Sequence, residues 1–138
     1  MKEHVYTRRV EWADTDMAGI VHFARFLIFM ETAEHRFREA LGFPLGADST
    51  NGASLGWPRV SASCDYRRPA RFGDELEVRT RVVEMGTTSL TFACTFTRGG
   101  AVIAEGRMTS VCCRLEPHLQ PVPIPERMAA AIEIADAD

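Results

Sequence analysis

The segment from Ala24 to Leu41 constrains the fold of this chain most strongly. Apolar residues recur in it at spacings of three and four, which is the pattern of an α-helix. The first half of the helix is apolar on nearly every side, through Phe23, Phe26, Leu27, Ile28, Phe29 and Met30. A helix without a polar face in its first turns is usually enclosed by other elements. The sequence therefore predicts a long central helix, with a polar side formed by Glu31, Glu34, Arg38 and Glu39.

The rest of the chain is typical of an antiparallel sheet. Five strands are predicted from alternating apolar and polar residues, one before the helix and four after it: Val5–Trp12, Arg59–Tyr66, Glu75–Val83, Ser89–Arg98 and Ala101–Leu115. Short turns join the later strands, and consecutive hairpins make neighbouring strands antiparallel. Pro44–Gly56 is predicted as a loop and Glu126–Ala135 as a short terminal helix. We therefore expect an α+β fold, with a sheet of about five strands wrapped around one long helix.

Composition and charge limit the classes of function. A chain of 138 residues with 46% hydrophobic and 25% charged residues is expected to form one domain spanning residues 1–138. Its net charge of −3 argues against a nucleic-acid partner held by bulk electrostatics. Met1–Val10 lacks the apolar run of a signal peptide, and no segment approaches transmembrane length. We expect a cytoplasmic protein without membrane insertion.

The four cysteines form no C-x-x-C pair: Cys64, Cys94, Cys112 and Cys113. This spacing favours reduced, mostly buried thiols over a zinc site or a disulfide framework.

Two acids, Asp14 and Asp16, lie just before the predicted helix, next to Ala18-Gly19. Packing explains them poorly, because burying a carboxylate without a partner is costly. One interpretation is that they complement the helix dipole. The other is catalytic. Free N–H groups at the helix start can stabilise an oxyanion, while a carboxylate beside them acts as base or nucleophile.

The motif and the layout together resemble the hotdog fold, and specifically the 4-hydroxybenzoyl-CoA thioesterase-like family. Asp14-Thr15-Asp16-Met17-Ala18-Gly19-Ile20-Val21 is similar to the D-x-D-x-x-G-x-V signature of that family. Tyr66-Arg67-Arg68-Pro69-Ala70-Arg71-Phe72-Gly73-Asp74 is similar to its Y-x-x-P-x-x-x-G-D segment. The resemblance covers nearly the whole chain.

The resemblance implies an acyl-CoA thioesterase in which Asp16 attacks the thioester carbonyl or activates a water. The backbone N–H of Phe23 would polarise the carbonyl. His22 is either a general acid for the departing thiolate or a structural histidine. Asp14 is expected to orient the loop. A metal site built from Asp14, Asp16 and His22 is an alternative for which the sequence supplies no clear further ligand, so neither metal nor cofactor is expected.

Substrate contacts follow from the same resemblance. They are expected at Gly19, Ile20, Val21, Glu31, Trp57, Arg67, Arg68 and Arg71. The arginines are candidates for the CoA phosphates, because Gly86-Thr87-Thr88 lacks the basic cluster that some members use there. Glu31 lies where hydroxybenzoyl members place an acid near the ring hydroxyl. Trp12 is expected to be a packing residue.

The family also implies a homo-oligomer, a dimer joined edge to edge or a homotetramer built as a dimer of dimers. An exposed edge strand in a small sheet independently favours such pairing. The acyl group stays open, as does acyl carrier protein in place of CoA. Two other functions stay open too. One is a hotdog hydratase or dehydratase acting through His22 and Glu31, and the other is a non-catalytic acyl-CoA-binding module.

Overall fold

The computed structural model describes residues 1–46, 49–50 and 53–136. Five long strands form its main sheet: β1 (Glu3–Arg9), β4 (Arg59–Tyr66), β5 (Glu75–Met85), β6 (Ser89–Arg98) and β7 (Ala101–Val111). The central helix is α1 (Arg25–Leu41), and a shorter helix, α2 (Glu126–Ala131), lies near the end of the chain. A 3₁₀ turn, Trp12–Asp14, follows β1.

The main sheet is antiparallel throughout, in the order β1-β5-β6-β7-β4. Helix α1 packs on one face of this sheet, against β1, β4, β5 and β6. Large apolar side chains from both sides fill the interface: Phe26, Phe29, Met30, Phe37, Leu76, Val78, Leu90, Phe92 and Phe96. The predicted architecture, a five-stranded antiparallel sheet around one long helix, is confirmed.

A second, smaller sheet was not predicted. It joins β2 (Ser49–Thr50), β3 (Ala53–Gly56), β8 (Cys113–Arg114) and β9 (Gln120–Pro121). The predicted loop Pro44–Gly56 is therefore partly strand, although residues 47–48 and 51–52 lie outside the described residues. The predicted last strand is interrupted at Cys112, whose N–H donates to the Thr88 carbonyl at 2.7 Å.

The expected polar side of α1 was wrong at two positions. Glu34 and Arg38 are 1% and 0% exposed. Glu34 accepts a hydrogen bond from Arg59 at 2.9 Å, and the Arg38 guanidinium lies 4.4 Å from the centre of the Trp57 ring. Burial of these charges is possible because partners from distant segments reach them.

The expected enclosure of α1 holds on one side only. Phe23, just before the helix, is 65% exposed, and Leu27 and Ile28 are also exposed in a single chain. Leu27 and Ile28 line a groove of about 230 Å³ that also takes in Glu31, Arg59, Ala62 and Met108. The groove borders β4, an edge strand of the main sheet whose residues are almost all exposed.

Two further expectations can be compared with the described residues. All four cysteines are free thiols, and Cys94, Cys112 and Cys113 are buried, which confirms the prediction of mostly buried, unpaired cysteines. Among the described residues, no helix is long and apolar enough to cross a membrane.

Candidate active site

A cleft of about 530 Å³ opens beside the start of α1. One wall is the loop before the helix and the other is the segment that follows β4. Ten residues line it: Asp16, Ile20, Val21, Phe23, Phe26, Tyr66, Arg67, Arg68, Pro69 and Ala70. The Val21 N–H donates to the Ala70 carbonyl at 2.8 Å and ties the two walls together.

Asp16 is presented to the cleft by a tight turn. Its backbone N–H donates to the Ile20 carbonyl at 3.0 Å, and its carbonyl accepts from the Gly19 N–H at 2.9 Å. Gly19 has φ +80°, a conformation that glycine adopts without steric cost. One carboxylate oxygen, Oδ1, accepts from the Ala18 N–H at 2.9 Å. Oδ2 accepts no hydrogen bond from the described residues, so it is available to a water or a substrate.

Phe23, which also lines the cleft, carries a second available group, its backbone N–H. On either side of it the backbone donors are used: the His22 N–H donates to the Asp14 carbonyl at 2.9 Å, and the Ala24 N–H donates to His22 Nδ1 at 3.1 Å. Within the described part of the chain, the Phe23 N–H has no acceptor. An unpaired N–H at a helix start is a suitable donor for an oxyanion.

Asp14 is completely buried behind this loop and is held by two arginines. Arg8 on β1 donates to both carboxylate oxygens at 3.0 and 2.8 Å. Arg25, the first residue of α1, donates to Oδ1 from Nε and Nη2 at 3.0 and 2.7 Å, and the Glu11 N–H donates to Oδ2 at 2.8 Å. Burial opposes ionisation of Asp14, but these hydrogen bonds outweigh it and hold its pKa below the usual range.

The structure brings six of the predicted site residues to this cleft: Asp16, Ile20, Val21, Phe23, Arg67 and Arg68. Gly19 shapes the Asp16 turn but does not line the cleft. Arg67 is paired with Glu105 at 3.2 Å, and Arg68 donates to the Val102 carbonyl at 2.6 Å. The side chain of Arg71 has no hydrogen bond or ion pair among the described residues.

Three predicted residues lie elsewhere. Trp57 is 6% exposed and packs on Arg38, so it does not border the cleft as expected. Glu31 lies in the groove beside β4. His22 is not among the residues that line the cleft, and its ring stacks on Phe23 with centroids 4.5 Å apart. His22 and Glu31 therefore do not face the same pocket among the described residues.

The fold and the geometry of the cleft can be compared with known proteins. Residues 10–132 match the sequence profile of the thioesterase-like superfamily. The chain belongs to this superfamily. A 1,4-dihydroxy-2-naphthoyl-CoA hydrolase of Thermosynechococcus vestitus is 33% identical over 131 residues, which cover 94% of this chain and 88% of that protein.

Two further relatives agree with this thioesterase assignment. The acyl-CoA thioesterase YbgC of Haemophilus influenzae is 28% identical over 123 residues, or 89% of each chain. A solved gentisyl-coenzyme A thioesterase superposes with a TM-score of 0.84 at 32% identity, covering 94% of this chain and all (100%) of that one. The expected hotdog fold, thioesterase family and class of enzyme are confirmed.

Four residues that line the cleft of this thioesterase were not named as site residues: Phe26, Tyr66, Pro69 and Ala70. A phenylalanine near Phe23 was expected to line the acyl tunnel, without Phe26 being singled out. The Tyr66 hydroxyl donates to the Phe23 carbonyl at 2.9 Å, and the rings of Tyr66 and Phe26 meet edge to face at 5.3 Å. Tyr66 is the first residue of the Y-x-x-P-x-x-x-G-D segment, and this position in the motif was the sequence signal that could have identified it. Among the described residues, no group of three potential metal ligands occurs, and both oxygens of Asp14 are already engaged by guanidinium groups.

Proposed function

We propose that this thioesterase hydrolyses an acyl-CoA thioester to a free acid and coenzyme A. Asp16 acts as general base or nucleophile, and the Phe23 N–H holds the developing oxyanion. The observation that supports this proposal is the meeting of an exposed carboxylate and an unpaired helix-start amide on one cleft. CoA is the thiol named for all three relatives described above.

In the general-base route, Asp16 Oδ2 takes a proton from water while the water oxygen bonds to the thioester carbon. The carbonyl oxygen becomes an oxyanion, stabilised by the Phe23 N–H. When the C–S bond breaks, its electrons leave on the CoA sulfur. A thiolate is a fair leaving group, so the reaction does not need His22 as a proton donor.

In the nucleophilic route, Asp16 itself bonds to the thioester carbon and expels the thiolate, leaving a mixed anhydride. Water then hydrolyses the anhydride and restores the carboxylate. Repeated turnover in ¹⁸O-water followed by mass spectrometry of the Asp16 peptide separates the routes. Label in that peptide supports the nucleophile, because water has then attacked the Asp16 carbon of the anhydride. An unlabelled peptide fits both the base and an anhydride hydrolysed at the acyl carbon, and trapping of the anhydride with hydroxylamine separates these two cases.

The decisive test is Asp16→Asn, assayed by release of free thiol. Loss of a positioned base or nucleophile is expected to lower kcat by at least about 100-fold. Asp136→Asn is the matched control, because Asp136 is exposed and lies outside both the cleft and β4. Circular dichroism and the oligomeric mass should be unchanged in both variants. Wild-type turnover in Asp16→Asn would overturn the assigned role.

An aromatic acyl group is the first substrate class to test. Three aromatic side chains line the cleft, namely Phe23, Phe26 and Tyr66. Two of the relatives are named for aromatic acyl-CoA substrates. A panel should include benzoyl, hydroxybenzoyl, dihydroxynaphthoyl, short-chain and medium-chain CoA thioesters. The same panel on acyl carrier protein tests the other carrier.

We also propose that two copies pair through β4. Its outer edge is open, its residues are almost all exposed, and the adjacent groove presents Leu27 and Ile28 to solvent. Unpaired edges and apolar patches of this kind are usually covered by a partner. Light scattering should give a dimer or a dimer of dimers. Val60→Lys, at a β4 residue that is 66% exposed, should weaken the association.

Two alternative functions predict different products. A hydratase would add water to an enoyl-CoA without releasing thiol, and a binding module would retain intact acyl-CoA. His22 and Glu31 would have to act together in the first case, yet they do not share a pocket in the described chain. Thiol release from acyl-CoA by wild-type enzyme excludes the binding module.

A further inference from the structure

Trp12 and Phe72 form an exposed aromatic pair beside the cleft. Trp12 was expected to be a packing residue, but it is 78% exposed, and Phe72 is 58% exposed. Their rings meet edge to face, with centroids 6.0 Å apart and an angle of 77° between the planes. At 78% exposure, most of the Trp12 side chain is accessible to a stacking partner. Contiguous exposed apolar surface is one mark of a site for a ligand or a partner.

The pair lies where the two walls of the cleft continue. The Thr15 N–H and hydroxyl donate to the Trp12 carbonyl at 3.1 and 2.7 Å, and Asp16 is the next residue. On the other wall, Phe72 follows Ala70 by two residues. The contact of Trp12 with Phe72 therefore joins the extensions of both walls. The pair is thus next in the chain to both walls, although neither ring lines the cleft itself.

Both rings are carried by backbone that is already fixed. Trp12 begins the 3₁₀ turn whose third residue, Asp14, is held by Arg8 and Arg25. Phe72 lies in the turn closed by the Asp74 N–H, which donates to the Arg71 carbonyl at 3.0 Å. A preformed surface of this kind binds a planar group with little ordering cost.

Two arginines beside the pair make no side-chain hydrogen bond or ion pair among the described residues, although the charge of Arg71 is one of the causes that lower the pKa of Asp74. Arg71 adjoins Phe72 in sequence, and an Arg9 nitrogen lies 3.9 Å from where a Cβ on Gly73 would stand. Neither guanidinium has an ion pair in the described part of the chain, whereas Arg98, at the same turn, is bound to Asp74 at 2.7 Å. Glu11 adjoins Trp12 and lies 3.7 Å from the Arg8 guanidinium, which partly offsets its charge.

A flat aromatic face next to uncommitted guanidinium groups fits a purine nucleotide. Bases stack on aromatic side chains, and guanidinium forks bind phosphate. We propose that Trp12 and Phe72 stack the adenine of coenzyme A, and that Arg9 and Arg71 contact its phosphates. This inference rests on the proposed function for its ligand. It assigns a site outside the cleft that would select CoA over shorter thiol carriers.

The direct test is titration with adenosine 3′,5′-bisphosphate, followed by tryptophan fluorescence. The two tryptophans differ greatly in exposure: Trp12 is 78% exposed and Trp57 is 6% exposed. Binding should quench the exposed fluorophore in a saturable way, and Trp12→Phe should abolish that change. No saturable quenching in the wild type, or the same quenching in Trp12→Phe, would overturn the proposal.

Kinetics provide a second test. Trp12→Ala should raise KM for acyl-CoA at least about fivefold with kcat nearly unchanged, because stacking contributes to binding of the intact substrate. The preference for acyl-CoA over the matching N-acetylcysteamine thioester should fall by the same factor. Leu119→Ala, at another exposed apolar residue, is the matched control. An unchanged preference in Trp12→Ala would contradict the site.

The charge component is tested by the double variant Arg9→Gln/Arg71→Gln. It should weaken binding of the bisphosphate several-fold and reduce its salt dependence, because phosphate contacts are screened by salt. Arg127→Gln removes an exposed arginine on α2 and is the control. Equal effects of the control and the double variant would contradict phosphate binding at this turn.

A second copy of the chain is the competing occupant of the aromatic pair. If Trp12→Ala changes the oligomeric mass and leaves the bisphosphate titration unchanged, the pair is a subunit contact and the proposal is overturned. Because the titration requires no turnover, it tests the nucleotide site independently of the proposed hydrolysis. Bisphosphate binding without thiol release would count against the hydrolase. Thiol release without bisphosphate binding would overturn the nucleotide site alone.

Discussion

Arg25 and Asp14 form a two-point contact between the first residue of α1 and the loop before it. Nε and Nη2 of Arg25 both donate to Asp14 Oδ1, at 3.0 and 2.7 Å. Arg8 binds the same carboxylate from β1. The helix start and the first strand are thus joined through one buried charge. In the chain, the Asp16 turn and Phe23 lie between Asp14 and Arg25, so this ion pair joins the two ends of the segment that carries them.

Asp14→Asn should destabilise the protein by about 3 kcal/mol at pH 7, because two partly buried guanidinium groups lose their anion. The pKa of Asp14 is below its usual value in the folded state. Its contribution is therefore complete above the pKa of the unfolded carboxyl, about 3.9, and is lost as the pH falls toward the folded value. Urea unfolding at several pH values measures this difference.

The stability gap between wild type and Asp14→Asn should accordingly be constant above about pH 5 and shrink below it. Asp65→Asn serves as the control, since Asp65 is exposed. A gap that stays the same down to pH 3 would show that the effect is not electrostatic.

Tyr66→Phe removes the hydrogen bond that the hydroxyl donates to the Phe23 carbonyl. Tyr66 is 46% exposed, so the stability cost should be below about 1 kcal/mol. Because the bond fixes the residue whose N–H is the proposed oxyanion donor, kcat should fall about three- to tenfold. Thiol-release kinetics and urea unfolding, measured together, separate the two effects. A kcat equal to that of the wild type would show that Phe23 is fixed without Tyr66.

The thiols should react slowly in the folded protein. Burial, with the charge of Asp65 as a further cause, raises the pKa of Cys64 to about 11, and burial raises that of Cys94 to about 12. At pH 8 roughly one Cys64 in a thousand is then a thiolate, which is the reactive form. Ellman's reagent should label the native protein over hours and all four thiols rapidly in urea. Cys64→Ser identifies any native labelling, and labelling of Cys64 within seconds would contradict the raised pKa.

Gly106→Ala should destabilise the fold by about 1–3 kcal/mol through overpacking. A Cβ at this position would lie 2.5 Å from Met30 Sδ and 3.2 Å from the Ser63 carbonyl oxygen. Met30 is fully buried, so its side chain has little room to move away. Thermal unfolding of both single variants and of Gly106→Ala/Met30→Ala tests the contact. Strict additivity in the double variant would mean that Met30 is not what resists the added methyl group.

The long elements were predictable from local patterns. Arg59–Tyr66 and Ser89–Arg98 have the predicted bounds, and α1 begins one residue later than expected. Alternation and helical spacing report burial on one face, which the main sheet and α1 obey. The two-residue strands of the small sheet carry no such pattern. These strands pair because segments far apart in the sequence, such as β3 and β8, meet in the folded chain.

Buried charges were the main obstacle to sequence reasoning. Glu34 and Arg38 look like a solvated helix face, but partners from distant segments accompany their burial, Arg59 for Glu34 and Trp57 for Arg38. Asp14 was expected to orient the loop, yet its arginine partners, one on β1 and the other at the helix start, carry no signature in sequence. Trp12 shows the opposite error, because an aromatic residue was expected to pack and lies in solvent instead.

An exposed stripe extends from Phe23, just before α1, along the helix to the groove beside β4. Phe23 lies on the cleft, and Leu27 and Glu31 follow at four-residue intervals in the groove. Residues at this spacing lie on the same side of a helix and move together with it. A change that tilts the helix at the groove would therefore also displace the amide proposed as the oxyanion donor. If two copies pair through β4 as proposed, a substitution in the groove should alter turnover as well as assembly.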